Sequence, residues 1–203
     1  MKKLLIFILT WGQLSFAQVH SEEMVADTYS PPIFQKQNFP EDAPKYLEYE
    51  VPVYKGASKP PELKSHPIGY EYRTEIKEQG SHGIDFAGHY RVVLVPLGYG
   101  LHRFIIIDAI TGKIYTPPDL SFLQLSYTGD WGETDLADDI VDSHLGVGFQ
   151  KNSSLLIVAG TTGSSDMKQS KLGVHYYLWK NNQMKLLRFA PYENTRRIRP
   201  RHP

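Results

Sequence analysis

Downstream of residue 86 the chain consists of short runs of β-branched and apolar residues, each about the length of a strand. The first two runs cover residues 90–95 and 104–107, and turn-forming residues separate them. Further runs follow at residues 146–150, 155–159, 174–179 and 184–189. Apolar runs of this length, bounded by turn residues, predict strands that pair mainly antiparallel.

Two short segments are predicted to be tight turns between these strands. Residues 108–113 begin with Asp108, whose carboxylate can cap a turn, and include Gly112, which adopts positive φ without strain. Asn181 and Asn182 lie between the last two runs, and asparagine tolerates the left-handed conformation that a two-residue hairpin requires. Both segments therefore predict hairpins.

The residues before position 86 follow other patterns. Residues 18–65 contain seven prolines, which predict an extended lead with an edge strand at 46–54. Residues 66–79 fit both strand alternation and helical spacing, but Pro67 and Gly80 bracket a helix, so we favour a short helix. Together these patterns predict an α+β fold that is mostly antiparallel β. We expect a single domain of about seven or eight strands with one or two short helices.

The first residues of the chain have the pattern of an export signal. Lys2 and Lys3 precede an apolar run at residues 4–9, and small residues at Ser15 and Ala17 predict cleavage before Gln18. The apolar run is shorter than the ~20 residues that span a bilayer, so no integral membrane protein is expected. The predicted division is a signal peptide (1–17), the Pro-rich lead (18–65), a β-rich domain (66–192) and a basic tail (193–203). The mature protein is expected to be periplasmic or extracellular.

Composition narrows the range of functions. Lys+Arg and Asp+Glu both total 22, and removal of Lys2 and Lys3 leaves 20 against 22, a net charge of about −2. This balance argues against general binding of nucleic acid, which requires an excess of basic residues. The chain contains no cysteine, so cysteine catalysis and disulfides are excluded.

One stretch has a recognisable signature. Residues 84–90 read Ile-Asp-Phe-Ala-Gly-His-Tyr, followed by Gly-Tyr-Gly at 98–100 and Ile-Asp-Ala-Ile-Thr-Gly at 107–112. This resembles a group of uncharacterised exported bacterial proteins with Asn-Phe-Ala-Gly-His-Tyr, then Gly-Cys-Gly with a second cysteine just after, then Ile-Asp-x-x-Thr-Gly. Here Asp85 stands where asparagine is usual, and Tyr99 and Arg103 stand at the cysteine positions. The resemblance covers about thirty residues. It implies export and a related fold but no activity.

The signature supplies the candidate catalytic residues. His89, with Asp85 four residues upstream and Asp108 in the following turn, has the residue types of an acid–base pair. The favoured interpretation is structural, with His89 fixing the turn through a hydrogen bond. Tyr99, His102 and Trp131 are the candidate binding residues, because aromatic side chains stack on sugars and on partner proteins.

Other sites that the sequence suggests are weaker. No two histidines of the predicted domain have zinc-site spacing, and the acidic residues at 130–139 lack the order of a calcium loop. Residues 160–166 contain Ser164 but do not form Gly-x-Ser-x-Gly, so a hairpin loop is predicted there. The expectation is that the protein has no metal site and no cofactor.

The resulting hypothesis is an exported soluble protein that binds rather than catalyses, an envelope binding or inhibitor-type protein. Its partner would be an envelope protein or a glycan. Two alternatives stay open: a small periplasmic hydrolase of envelope polymers that uses His89 with Asp85 or Asp108, and a calcium-stabilised structural module. Added calcium would raise the melting temperature of such a module.

The export hypothesis predicts the N-terminus of the native protein. Protein purified from the producing cells is expected to begin at Gln18 and to fractionate outside the cytoplasm, because a signal peptidase removes residues 1–17. Intact-mass measurement and N-terminal sequencing check this. A native protein that retains Met1 and stays inside the cell would contradict it.

Overall fold

The apolar runs form eight strands of one antiparallel sheet in a computed structural model, which describes residues 32–126, 146–163 and 170–193. The strands are β1 (Tyr90–Gly98), β2 (Leu101–Asp108), β3 (Ile114–Tyr115), β4 (Phe122–Leu125), β5 (Val147–Phe149), β6 (Leu155–Gly163), β7 (Lys171–Lys180) and β8 (Gln183–Pro191). Their order is β1-β2-β4-β6-β7-β8, with β3 paired to β2 and β5 paired to β6. The predicted fold class is therefore confirmed.

Both predicted tight turns are present. Gly112 has φ of 82°, and the two asparagines between β7 and β8 have φ of 53° and 59°. The loop predicted at 160–166 is wrong for residues 160–163, which continue β6, paired with β4 on one side and β7 on the other, while 164–166 lie outside the described residues. The reason is a close approach of strands, since a Cβ atom at Gly160 would collide with the carbonyl group of Gln124. Glycine here permits sheet pairing rather than a loop.

Alternate residues of the strands build a core on one face of the sheet. This inner cluster takes side chains from β1 at one end of the strand order and from β7 near the other end. Its members include Phe86, Phe104, Leu123, Leu156 and Trp179. Since residues from distant strands meet in one cluster, the sheet must curl around it.

Two short helices cover the opposite face of β1 and β2. They are α1 (Ile68–Glu71) and α2 (Arg73–Gln79), so the helix favoured at 66–79 is present as two segments. Ile68 and Ile76 are buried against Val93, Ile105 and Ile107. The segment is helical rather than extended, and the helical spacing places both isoleucines against the sheet.

Residues 34–49 of the lead pack over the same outer face, on β6, β7 and β8. Phe34, Phe39 and Tyr46 are buried there in a third cluster. The edge strand predicted at 46–54 is wrong, because Tyr46–Tyr49 forms a 3-10 helix. The Tyr46 carbonyl accepts a hydrogen bond from Ser153 Oγ (2.9 Å). After the 3-10 helix, Glu50 forms an isolated antiparallel bridge with Ser153, with backbone hydrogen bonds of 3.0 and 2.8 Å on either side of it.

Two glycines at positive φ allow a matched test of the packing around the signature. A Cβ at Gly88 (φ 83°) would lie 2.6 Å from the carbonyl oxygen of Pro52, whereas a Cβ at Gly98 (φ 96°) would meet no atom within 4 Å. Gly88→Ala should lower the free energy of unfolding by about 3 kcal/mol or more, through backbone strain plus the collision. Gly98→Ala should cost only about 1 kcal/mol, through strain alone. Urea denaturation of both variants measures this, and equal losses would contradict it.

Candidate functional site

The signature forms a tight turn at residues 86–90. Phe86 and Tyr90 exchange both of their backbone hydrogen bonds across it, at 3.1 and 2.8 Å. Ala87 (φ 43°) and Gly88 (φ 83°) adopt positive φ, and their N–H groups donate to carbonyls in the loop before β6, at 3.1 and 2.7 Å. The turn therefore fixes both the start of β1 and the direction in which the Tyr90 side chain leaves it.

Asp85 lies beside the outer, unpaired edge of β1. Its Oδ1 accepts a hydrogen bond from the Val92 N–H (2.9 Å), and further along this edge the Leu94 carbonyl accepts one from Gln79 (3.3 Å). An open strand edge tends to pair with other chains, so these side chains stand in for a neighbouring strand. Burial raises the pKa of Asp85 to about 7, against the opposing effects of the Val92 N–H and the charge of Arg91.

Asp108 is buried and caps the β2–β3 turn, as its position predicted. Its Oδ1 accepts hydrogen bonds from the backbone N–H groups of Ile110 (2.8 Å) and Thr111 (3.2 Å), and Oδ2 accepts one from the Thr111 hydroxyl (2.7 Å). Three acceptor interactions with its own turn make this carboxylate part of the hairpin.

His89 is the half-exposed member of the candidate catalytic set. Its carbonyl accepts a hydrogen bond from the Ala109 N–H (2.8 Å), and its ring packs on Tyr90 with centroids 4.1 Å apart. The structure brings His89, Asp85 and Asp108 to the same end of the β1–β2 hairpin. Among the described residues no hydrogen bond or ion pair joins any two of these side chains.

The candidate binding residues lie elsewhere. Tyr99 is fully exposed at the tip of the β1–β2 hairpin, with φ of 52°, and His102 hydrogen bonds the Gly100 carbonyl (3.0 Å) beside it. Since β1 has nine residues, the tip is roughly 25 Å from the end that carries His89. The structure does not bring the two candidate sets together. Trp131, like the acidic residues at 130–139 and Ser164, lies outside the described residues.

An open cleft lies at the His89 end of the hairpin, where the segment after β3 faces the β7–β8 turn. Its volume is about 460 Å³. The polar side chains in its wall come from three separate parts of the chain: His66, Thr116, Asp119, Asn182 and Gln183. Apolar surface is supplied by Tyr115, Pro118 and Met184. A concave, partly apolar surface with a few convergent polar groups is the usual form of a small-molecule site.

Aromatic residues support the cleft from behind. The Trp179 ring contacts Tyr90 and Tyr115 edge to face, with centroids 5.4 and 5.9 Å apart. Tyr90 donates its hydroxyl hydrogen to Asn182 Oδ1 (2.7 Å), which orients the amide at the rim. Burial raises the pKa of both tyrosines, and the negative charge of Asp108 raises it further, so both hydroxyls keep their protons.

His66 is anchored at the opposite wall. Its Nδ1 accepts a hydrogen bond from the Ile68 N–H (3.3 Å), which leaves Nε2 as the protonated nitrogen that faces the Thr116 hydroxyl (3.2 Å). The preceding residue, Ser65, accepts a hydrogen bond from the Ile114 N–H at its Oγ (3.0 Å). This wall is thereby tied to β3.

Three buried polar side chains of β6 and β7 form a hydrogen-bonded cluster near Asp119. The Thr162 hydroxyl is 2.8 Å from Tyr177 Oη and 3.4 Å from His175 Nδ1, and His175 Nε2 is 2.9 Å from the Lys171 carbonyl oxygen. Burial lowers the pKa of His175, which favours the neutral ring. Burial also raises the pKa of Tyr177 to about 12, with a further contribution from the charge of Asp119. No motif or spacing rule singles out these residues as a group.

The cleft was also missed by sequence reasoning. Its walls come from position 66, positions 114–119 and positions 182–184, which no motif or spacing rule connects. The sequence marks Pro117-Pro118 as a strand end and Asn181-Asn182 as a turn. It contains no local signal that the curl of the sheet brings these two segments face to face.

Comparisons with known proteins add no assignment. No family model, no curated protein and no solved structure matches the chain significantly. Within the described ranges, no three His, Asp or Glu side chains are grouped in a way that would hold a metal ion. Within the same ranges, no helix has the length and apolar character needed to cross a membrane.

The raised pKa of Asp85 predicts how stability depends on pH. Between pH 4 and about 7 the folded chain keeps a proton on Asp85 that the unfolded chain has released, because burial raises the pKa of Asp85 from 3.8 to about 7. This contribution to stability is complete below pH 4 and declines progressively until the pH passes about 7, a total loss on the order of 4 kcal/mol. Asp85→Asn should therefore flatten the decline.

Denaturation of the wild type, Asp85→Asn and Asp85→Ala across pH 4–9 measures the effect. Asparagine keeps an acceptor for the Val92 N–H, whereas alanine leaves that N–H without its partner, so Asp85→Ala should be less stable than Asp85→Asn by about 1–3 kcal/mol at every pH. A wild-type curve parallel to that of Asp85→Asn would refute the assignment.

Proposed function

We propose that the chain is an exported, non-catalytic binding protein of the cell envelope, and that it binds its ligand in the cleft beside Tyr115. The observation that carries the proposal is the construction of the cleft. Its rim amide is oriented by Tyr90, its aromatic wall is supported by Trp179, and His66 is fixed by two hydrogen bonds. Side chains that are already oriented lose little entropy when a ligand arrives.

The hydrogen bonding of the carboxylates supports binding rather than catalysis. Asp85 accepts from the edge of β1, and Asp108 accepts from its own turn. Neither residue is among those that line the cleft. A group that moves protons in a reaction has to reach the substrate, directly or through one water.

The hydrolase remains the second candidate because of one observation. A carboxyl group with a pKa near 7 is suited to general acid catalysis, and Asp85 has such a pKa. His89, half-exposed at the same end of the hairpin, would be its partner. This candidate requires a substrate that reaches the outer edge of β1 rather than the cleft.

The proposal predicts retention of an envelope component without its conversion. Immobilised mature protein, beginning at Gln18, should retain a component of an envelope extract and release it chemically unchanged. Asp119→Ala, which removes an exposed carboxylate from the cleft, should reduce retention roughly tenfold. Glu41→Ala, which removes an exposed carboxylate outside the cleft, should not.

The same experiment distinguishes the hydrolase. Mass spectrometry of the released material shows whether bonds have been cleaved. Cleavage that disappears in Asp85→Asn or in His89→Ala, with retention intact, would replace the binding proposal by the hydrolase. Retention that Asp119→Ala and Glu41→Ala affect equally would remove the cleft from the proposal.

A further inference from the structure

We infer that the ligand of the cleft is a neutral saccharide, with one sugar ring lying against Tyr115 and its hydroxyl groups bound by Asp119 and Asn182. This inference rests on the proposed function and names the class of ligand. It follows from the charge, the aromatic wall and the hydrogen-bonding groups of the cleft.

The charge of the cleft disfavours anionic ligands. Asp119 contributes a carboxylate, and the described lining residues include neither lysine nor arginine. Sites for phosphate or carboxylate groups normally contain such a cation or a group of converging backbone N–H donors. Asp119 would repel an anion, whereas it accepts hydrogen bonds readily from uncharged hydroxyl groups.

Tyr115 provides a flat apolar surface. Its ring is half-buried and held edge to face by Trp179, at a centroid distance of 5.9 Å, and Pro118 and Met184 extend the apolar area. A pyranose ring has an apolar face of C–H groups that packs on such surfaces. A tyrosine that is already fixed loses little conformational freedom on binding.

The polar groups suit hydroxyls, which both donate and accept. Asn182 uses its Oδ1 for the hydrogen bond from Tyr90, so its amide nitrogen is the group directed to a ligand as a donor. Asp119 supplies acceptors, and the Thr116 hydroxyl is able to do either. Neighbouring hydroxyls of a sugar ring can therefore find a donor and an acceptor at the same rim.

The size and openness of the cleft favour part of a polymer. Its volume of about 460 Å³ is within the range of about 300–1,000 Å³ that is usual for small-molecule sites. Because the cleft is open to solvent, it is suited to the end or the side of a longer chain. Envelope polysaccharides offer both.

The test is a titration of the mature protein with defined probes, followed by NMR chemical shifts and calorimetry. The probes are a neutral N-acetylglucosamine tetramer, a neutral glucose tetramer, spermidine as a cation and inorganic phosphate as an anion. At least one neutral tetramer should bind with a dissociation constant of about 1 mM or lower, and added salt should change it little.

The β7–β8 turn supplies a matched pair of variants. Asn181 and Asn182 are both exposed and both at positive φ, but only Asn182 lines the cleft and accepts from Tyr90. Asn182→Gly keeps the turn conformation available and should weaken saccharide binding about tenfold. Asn181→Gly should leave it unchanged. Heteronuclear NMR spectra show that each variant is folded.

Each other outcome overturns the inference in a recognisable way. If spermidine binds and the tetramers do not, the cleft takes a cation, and the proposed function stands without the saccharide. Binding of phosphate alone would also overturn the saccharide and leave the proposed function standing. So would the absence of binding by every probe, if the envelope extract is still retained through Asp119. If no probe binds and retention is also independent of Asp119, the proposed function fails as well. Saccharide binding that Asn182→Gly does not weaken would place the sugar outside the cleft.

Discussion

The backbone hydrogen bonds of the turn at residues 86–90 are the constraint on which the rest of the structure depends. The N–H groups of Ala87 and Gly88 donate to the loop before β6, and the Gly88 carbonyl accepts from Tyr54 of the lead. The carbonyl of His89 accepts from Ala109 in the β2–β3 turn. A buried backbone group without a partner costs about as much as a lost hydrogen bond, so these three segments have to be in place together.

This constraint also shapes the cleft. The turn aims Tyr90 at the far side of the curled sheet, where its ring meets Trp179 of β7 and its hydroxyl meets Asn182. The first strand in the sheet order is thereby joined to the turn after the fifth strand in that order. Because Trp179 also supports Tyr115, a change in the turn would propagate through two aromatic contacts to the wall of the cleft. Tyr90 therefore connects the signature to the wall and the rim of the cleft.

The sequence predicted those parts of the fold that local chemistry decides. The hairpin at 108–113 follows from a capping carboxylate and a glycine, and the β7–β8 hairpin follows from two asparagines that tolerate positive φ. The 3-10 helix at Tyr46–Tyr49 was mistaken for a strand because alternation of large residues fits both structures. The Tyr46 carbonyl accepts its hydrogen bond from the side chain of Ser153, 107 positions away, which no local pattern reveals. The cleft was beyond prediction for the same reason, since three distant segments form it.

Two of the candidate catalytic residues have hydrogen-bonding roles in the fold itself. Asp85 accepts a hydrogen bond from the outer edge of β1, and Asp108 accepts hydrogen bonds from its own turn. Further along the same edge, Pro96 has no N–H that needs a partner. An unusual polar residue next to a signature can contact a substrate or accept a hydrogen bond from a backbone N–H. The sequence alone does not distinguish these two roles. In the structure, Asp85 Oδ1 accepts from the backbone N–H of Val92, and both oxygens of Asp108 accept hydrogen bonds from the β2–β3 turn. In the proposed binding function, the ligand is recognised by side chains outside the signature, such as Asp119 and Asn182, which the fold places at the cleft.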